Sequence, residues 1–334
     1  MNKDFIYKEK PEFTEENKFY LECLEKGKIK DIKLLEQNLK DFPEKLLNKW
    51  TNNPLTDTCI NDSFENISKQ ISNSKISPKI IYITKDIKHP ENIDFENTHN
   101  LQNLFSYLLN GLHIRRVEML SDIALLNIRD LLSIQNEVTF MNIGPGIFPL
   151  EKRIIEQLTT QEREKVKFLA LDVSDNLLKY GISNRLIDYG YVADLSKITP
   201  GDIHEKIDIL VMSEVIEHIF HPSSVLKKLF EVFNSNNFKF IGSVPNSIQL
   251  AEIIPTIQGT SSPHQLSRPL FDELNDHLSF FNFNSLVLLL KDLKFSKINI
   301  VSNAVRIEKN GNSANITAGL KYVTVGDRFI FWGS

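Results

Sequence analysis

Cysteine is close to absent. The 334 residues hold only Cys23 and Cys59, and neither stands at the spacing of a metal or redox motif. A reducing cytoplasm is the compartment this fits. Long hydrophobic runs are lacking too: no stretch approaches the ~20 consecutive apolar residues of a membrane span, so no membrane partner is expected. The opening stretch, MNKDFIYKEKPEF, lacks the apolar core of a secretory signal. A surplus of positive charge is also missing, since 39 Lys and Arg stand against 43 Asp and Glu, a net charge of −4. Nucleic acid is therefore not the default partner, because binding to polyanions draws on clustered Lys and Arg. No internal repeat is visible.

What is present is the composition of an ordinary globular protein, 41% hydrophobic and 25% charged, with length for one large domain plus an appendage. Residues 1–100 read as a mainly helical N-terminal extension with a polar, turn-rich loop over 51–78 and a strand-like run at Ile80–Ile83. Residues 101–334 form the main domain, and spacing over 100–133 predicts two helices interrupted near Gly111. After residue 136, apolar runs alternate with amphipathic helical stretches: VTFMNI (138–143), VKFLALDV (166–173), IDILVMS (207–213), FKFIGSV (238–244) and KINIVS (297–302). That alternation predicts an α/β fold, a doubly wound and mainly parallel sheet with its core over 136–302. Ligands of such sheets lie beyond the carboxyl ends of the strands.

The first run ends in Asn142-Ile143-Gly144-Pro145-Gly146. Glycines there let a ligand approach the backbone, and the helix that follows offers unpaired N–H groups, although such a turn also serves merely to reverse the chain. Asp172, 28 residues after Gly144, ends the second run. Its carboxylate suits two ribose hydroxyls, or it caps the helix beginning at Asp175. Asp194 suits an adenine amine, or is a surface residue. The dehydrogenase fingerprint G-x-G-x-x-G fails, because its sixth position is Pro149. The fourth strand end runs into MSEVIEHIFHP (212–222), which crowds Glu214, Glu217, His218 and His221. A helical start there would put Glu214, Glu217 and His218 on one face.

These strand ends, with Glu214-Val215-Ile216-Glu217-His218, Ser243-Val244-Pro245-Asn246 and Asp276-His277-Leu278-Ser279-Phe280-Phe281, resemble the class I S-adenosylmethionine-dependent methyltransferases. The likeness is to the branch with an E-V-x-E-H motif after strand 4, of type 11/23. The resemblance covers about 136–302 and implies a seven-stranded Rossmann-like methyltransferase sheet that binds S-adenosyl-L-methionine. It implies that Asn142, Gly144 and Gly146 lie along the methionine part of the cofactor, that Asp172 with Val173 holds the ribose, that Asp194 and Leu195 flank the adenine, and that Ser213 and Glu214 line the other side. Two positions depart from the pattern: Asn142 replaces an acidic residue and Phe148 a small one.

For the Glu/His cluster three readings stand: helix-start architecture, a general base at His218 or His277, and a metal site of Glu214, Glu217, His218 and His277. The last resembles the Hen1 type of small-RNA 2′-O-methyltransferase. The 247–276 insert reads as a lid whose His264 and Arg268 touch substrate, or as an inert excursion, and Arg115-Arg116 as a cofactor-facing or solvated pair. The expected function is methyl transfer to an oxygen or nitrogen of a small-molecule or sugar-bearing metabolite, with no metal in the first instance and a homodimer as a possible assembly. Alternatives are a metal-dependent RNA 2′-O-methyltransferase and a non-catalytic binding protein on the same fold.

Overall fold

The computed structural model describes residues 42–52, 64–73, 77–84, 111–233, 238–248, 278–309, 312–319, 323 and 326–334. Among these, β1 (Ile80–Tyr82), β2 (Val138–Ile143), β3 (Val166–Asp172), β4 (Tyr189–Val192), β5 (Ile209–Ser213), β6 (Lys239–Pro245), β7 (Ile298–Lys309), β8 (Asn312–Gly319) and β9 (Arg328–Gly333) make one sheet. Its order is β1-β4-β3-β2-β5-β6-β9-β7-β8. From β1 to β6 every neighbouring pair is parallel. Strand β9 then inserts antiparallel between β6 and β7, and β8 pairs antiparallel with β7. The sheet is thus the expected doubly wound, mainly parallel one; its seven central strands are flanked by β1 and β8, so nine are present rather than seven.

Alternation of side chains along each strand feeds two apolar layers. In β2, Val138 and Phe140 enter one core and Met141 and Ile143 the other; in β5, Ile209 and Val211 oppose Leu210 and Met212 in the same way. Burying one such side chain fully contributes roughly 1.5–3 kcal/mol. The first layer is closed by α3 (Gly111–Leu132), α4 (Pro149–Gln157) and α6 (Asp175–Ser183), the second by α7 (Pro222–Val232) and α8 (Phe283–Asp292). Between α4 and β3 lies the short α5 (Thr160–Glu164), begun by a capping box in which Glu162 N–H donates to Thr159 and the Thr159 N–H to Glu162. Helix α3 runs over 111–132, and the stretch before Gly111 expected to hold the first of two helices lies outside the described residues.

Two helices precede the main domain, α1 (Glu44–Asn52) and α2 (Phe64–Ser72). Trp50 of α1 is 1% exposed, and its indole N–H donates to Asp122 of α3 at 2.9 Å. Lys49 donates to the same carboxylate at 2.8 Å. Ile67 and Ile71 of α2 belong to the α3/α4/α6 core. No helix among the described residues is long and apolar enough to cross a membrane.

The topology fixes where a ligand can sit. From β2 the chain winds outward through β3 and β4, then returns to start β5 on the other side of β2, with Asn142 opposite Val211 and Ile143 opposite Met212. Beyond the carboxyl ends of β2 and β5 the two halves part, and a crevice opens.

Candidate active site

At the exit of β2 the backbone takes positive φ at Gly144 (64°), Gly146 (57°) and Phe148 (61°) before Pro149 starts α4. A Cβ on Gly144 would lie 2.6 Å from Val215 Cγ2, whereas a Cβ on Gly146 would meet nothing within 4 Å. Gly144 is therefore needed for the packing of the turn, and Gly146 faces the open crevice. The Phe148 ring, fully buried, is packed against Gly181 of α6, where a Cβ would come within 2.6 Å of its Cζ. It fills core and leaves the crevice clear.

Asn142, 2% exposed, points from β2 toward α4, where its Nδ2 donates to Glu151 Oε1 at 2.6 Å. Glu151 is fully buried, and burial pushes its carboxyl up to about 7 against the opposing pull of the Asn142 and backbone N–H groups. Neither Asn142 Oδ1 nor Glu151 Oε2 has a hydrogen-bond partner.

At the end of β3, Asp172 is half-buried and its Oδ1 accepts the Ser174 N–H at 2.7 Å. The cap of α6 is Ser174, whose hydroxyl accepts from Leu177 N–H. Asp172 is thus not the cap, and burial raises its carboxyl to about 6. Half-buried Val173 follows it. Past β4, Asp194 accepts from both the N–H and the hydroxyl of Ser196 and lies 3.3 Å from Lys197 Nζ. Leu195 beside it is half-buried against the second core.

The exit of β5 is the most charged. Glu214 adopts φ 57°, a left-handed conformation that costs a non-glycine residue about 1–3 kcal/mol. Its Oε2 lies 3.0 Å from Arg116 Nη1 and 2.7 Å from Arg328 Nε, and its Oε1 accepts from Ser243 Oγ at 2.9 Å. Ser213 Oγ lies 3.0 Å from the same Ser243 hydroxyl. Arg328 also pairs with Asp327 and lies 3.4 Å from His113 Nε2. Burial would raise Glu214, but the two guanidiniums outweigh it and hold the carboxyl at about 2. Burial and the neighbouring arginines push His113 down to about 2. Glu217 is 1% exposed, with no hydrogen-bond partner for either carboxyl oxygen. Burial and the Glu214 charge raise it well above the usual carboxylate range.

The expected helical face is not formed. After Glu214 the chain makes a 3₁₀ turn, Ile216–His218, and α7 starts only at Pro222. Glu217 consequently turns inward and His218 outward, where it is exposed. The fold brings Asn142, Gly144, Gly146, Ser213 and Glu214 around the β2/β5 crevice, with Asp172 and Val173 at the neighbouring strand end and Asp194 and Leu195 one strand further. His277, His264 and Arg268 lie outside the described residues, as does the insert beyond Ile248 up to 276. Arg116 is buried and paired rather than solvated.

A divalent ion does not fit the described part of the cluster. Glu214 is occupied by two guanidiniums and a hydroxyl, burial and the Glu214 charge disfavour ionisation of Glu217, and His218 faces away. Two fixed cations beside the carboxylate would repel a third. No group of three or more His, Cys, Asp or Glu among the described residues is arranged to hold a metal.

Sequence reading missed Glu151, Arg328 and Asp327. Glu151 was detectable in principle, as the third residue of a helix begun by Pro149. Arg328 was not, because only β9 inserting beside β6 brings it to a residue 114 positions away.

No protein-family model matches the chain, and no characterised relative matches its sequence. Solved structures similar to it include the DszA carbon methyltransferase, at 12% identity and a TM-score of 0.47, covering 72% of this chain and 59% of that one. The plantazolicin methyltransferase BpumL, solved with a desmethylPZN analog and SAH, is 12% identical with a TM-score of 0.44 over 81% of this chain and 97% of its own. The small RNA methyltransferase HEN1 is 15% identical with a TM-score of 0.41, over 66% of this chain and 25% of that one. The chain thus spans 59% of the DszA structure. What its own strand order shows is a doubly wound, Rossmann-like sheet, with a crevice at the β2/β5 switch point.

Proposed function

We propose that the chain is an S-adenosylmethionine-dependent methyltransferase, transferring a methyl group to an oxygen or nitrogen of a small-molecule or sugar-bearing acceptor. The observation that carries this reading is the turn after β2: two positive-φ glycines, one of them facing open space, at the switch point of a sheet with Asp172 at the adjacent strand end. The sulfonium cofactor, when bound, supplies an already activated methyl group. The chain's own residues bind and orient. Asp172 accepts the ribose hydroxyls, Gly146 lets the backbone approach the amino-acid part, Asp194 and Leu195 flank the base, and Ser213 and Glu214 border the side from which the acceptor arrives.

Proton removal from the acceptor falls to His218 or His277 in this reading. The small-molecule acceptor is supported by the net charge of −4 and by Arg116 and Arg328 being engaged with Glu214. Both guanidiniums are thereby spent on an internal carboxylate.

Calorimetric titration with S-adenosylhomocysteine tests the reading. Binding is expected, and its absence at about 1 mM ligand, a standard free energy of only ~4 kcal/mol, would overturn it. Asp172→Ala should weaken that binding by roughly 10- to 100-fold, the loss of a charge-assisted hydrogen bond. A methyl-transfer screen over hydroxyl and amine acceptors, read as a mass gain of one methyl, then separates catalysis from binding alone.

A further inference from the structure

We infer that the cavity at the amino ends of β6 and β7 is a binding site for a small aromatic carboxylate, at the opposite end of the sheet from the β2/β5 crevice. Its volume is about 180 Å³. An apolar cavity of ~150 Å³ holds benzene, so there is room here for one ring bearing a carboxylate. Drug-sized ligands take roughly 300 Å³ or more.

Strand pairing sets two lysines on one wall. Trp332 of β9 stands opposite Ile241 of β6 and Asn299 of β7, and its ring enters the core beneath α3. Phe240 and Ile298 enter the other core. Side chains alternate along a strand, so Lys239 and Lys297, each one residue earlier, project on the α3 side, where both line the cavity. They flank Ser334, which exchanges backbone hydrogen bonds with Lys297. Two strand spacings put their Cα atoms about 9.6 Å apart, and flexible stems let the ammonium heads meet on one anion. Neither lysine has an ion-pair partner among the described residues.

The chemistry of the ligand follows from the lining. Asp130 of α3 is its one acid among the described residues, so the side chains carry a net charge of one positive unit. That balance suits a monoanion. Asn299, 4% exposed, spends one amide N–H on Trp332 O at 3.4 Å and has the second for a carboxylate oxygen. The remaining wall is apolar, made by Trp332 and Phe42, with ring centroids 5.0 Å apart, and by Leu126. An inorganic anion would leave these rings uncovered, and a neutral ring would leave the lysines unpaired. A carboxylate on a flat apolar body satisfies both.

Position separates this site from the crevice. Lys239 pairs with Ile209, the first residue of β5, whereas Glu214 follows the last. At ~3.3 Å per residue, about 16 Å of strand lies between them. The site is therefore independent of the cofactor reading.

Calorimetric titration of the full chain with benzoate tests the site, with benzamide and inorganic phosphate as comparators. Benzoate should bind with a dissociation constant of about 1 mM or tighter, and benzamide and phosphate at least about tenfold more weakly. Lys239→Gln and Lys297→Gln should each weaken benzoate binding by about fivefold, and Asp130→Asn should strengthen it by about the same factor. A merely structural role would not produce changes of opposite sign. Weaker binding of benzoate to the wild type overturns the site. So does equal affinity for benzamide, which would leave only an apolar hollow, or for phosphate, which would leave only a basic patch. Lysine variants that bind benzoate as the wild type does overturn it as well. Should a lysine variant not fold, Asp130→Asn carries the charge test, and unchanged affinity there counts against the site. Absence of S-adenosylhomocysteine binding beside intact benzoate binding would sink the methyltransferase reading alone.

Discussion

Glu214, at the exit of β5, and Glu151, buried between α4 and β2, are two carboxyl groups with opposite histories. Glu214 is charged because Arg116 and Arg328 outweigh its burial, and its unfavourable φ of 57° is held by the same contacts. Removing one guanidinium leaves a buried charge undercompensated, so Arg328→Ala should destabilise the fold by about 3 kcal/mol, measured by denaturant unfolding. Arg328→Lys should recover only part of that, since a point charge cannot reproduce the fork. With the two cations already installed, any methyl transfer by this chain should survive excess chelator, a test that loss of activity would decide against us. Glu151 behaves in the reverse sense. Its folded value of about 7 lies above the ordinary 4.5, so protonation favours the folded state, and that contribution is present below pH ~4.5 and lost as pH rises through ~7. Glu151→Gln should therefore stabilise the ligand-free chain at pH 8, by on the order of 3 kcal/mol at most, and change little at pH 5. Melting curves at the two pH values check the sign.

At the level of elements, the turn from β2 into α4 separates packing from binding. Gly144 has both a positive φ and Val215 at 2.6 Å from any added Cβ, whereas Gly146 has the φ without the neighbour. Gly144→Ala should cost about 2–4 kcal/mol, from left-handed strain plus the clash. Gly146→Ala should cost about 1 kcal/mol, yet lower the affinity for S-adenosylhomocysteine, because its Cβ would project into the crevice. Thermal unfolding and calorimetry on the pair distinguish the two roles. At the exit of β5, the left-handed residues Glu214 and His221 bracket a 3₁₀ turn that no helical periodicity announces. Leu278 and Ser279 donate their backbone N–H groups to the Glu217 carbonyl, which ties the start of the segment before α8 to this turn.

Across the whole molecule, the described segments before residue 101 pack onto the sheet and its covering helices. Strand β1 lengthens the parallel half beside β4, and Tyr82 donates its hydroxyl to Asp175 of α6 at 2.9 Å. Trp50 packs edge-on to Trp332 of β9, with ring centroids 6.5 Å apart. Trp50→Ala should cost about 3–5 kcal/mol. A chain beginning at residue 101 should unfold at markedly lower denaturant than the full chain, and an unchanged midpoint would show that the first hundred residues are a separate unit.

The sequence by itself determined the doubly wound character of the sheet and most of its parallel strands. Five apolar runs alternating with amphipathic stretches admit few arrangements other than a doubly wound one, since strands buried on both faces must be covered on both. It also placed Asn142, Gly144, Gly146, Asp172, Ser213 and Glu214 at or just past strand ends, because a strand end is a local property. Tertiary structure alone decided what those side chains touch. Arg116 reads as either cofactor-facing or solvated until α3 lies over the β5 exit, and Arg328 is invisible until an antiparallel strand carries it between β6 and β7. The inward turn of Glu217 and the outward turn of His218 depend on a 3₁₀ geometry that rotates each residue farther than an α-helix does. Charge pairing between residues 98 and 114 positions apart depends on which elements become neighbours, and the hydrophobic pattern of a single stretch does not encode that.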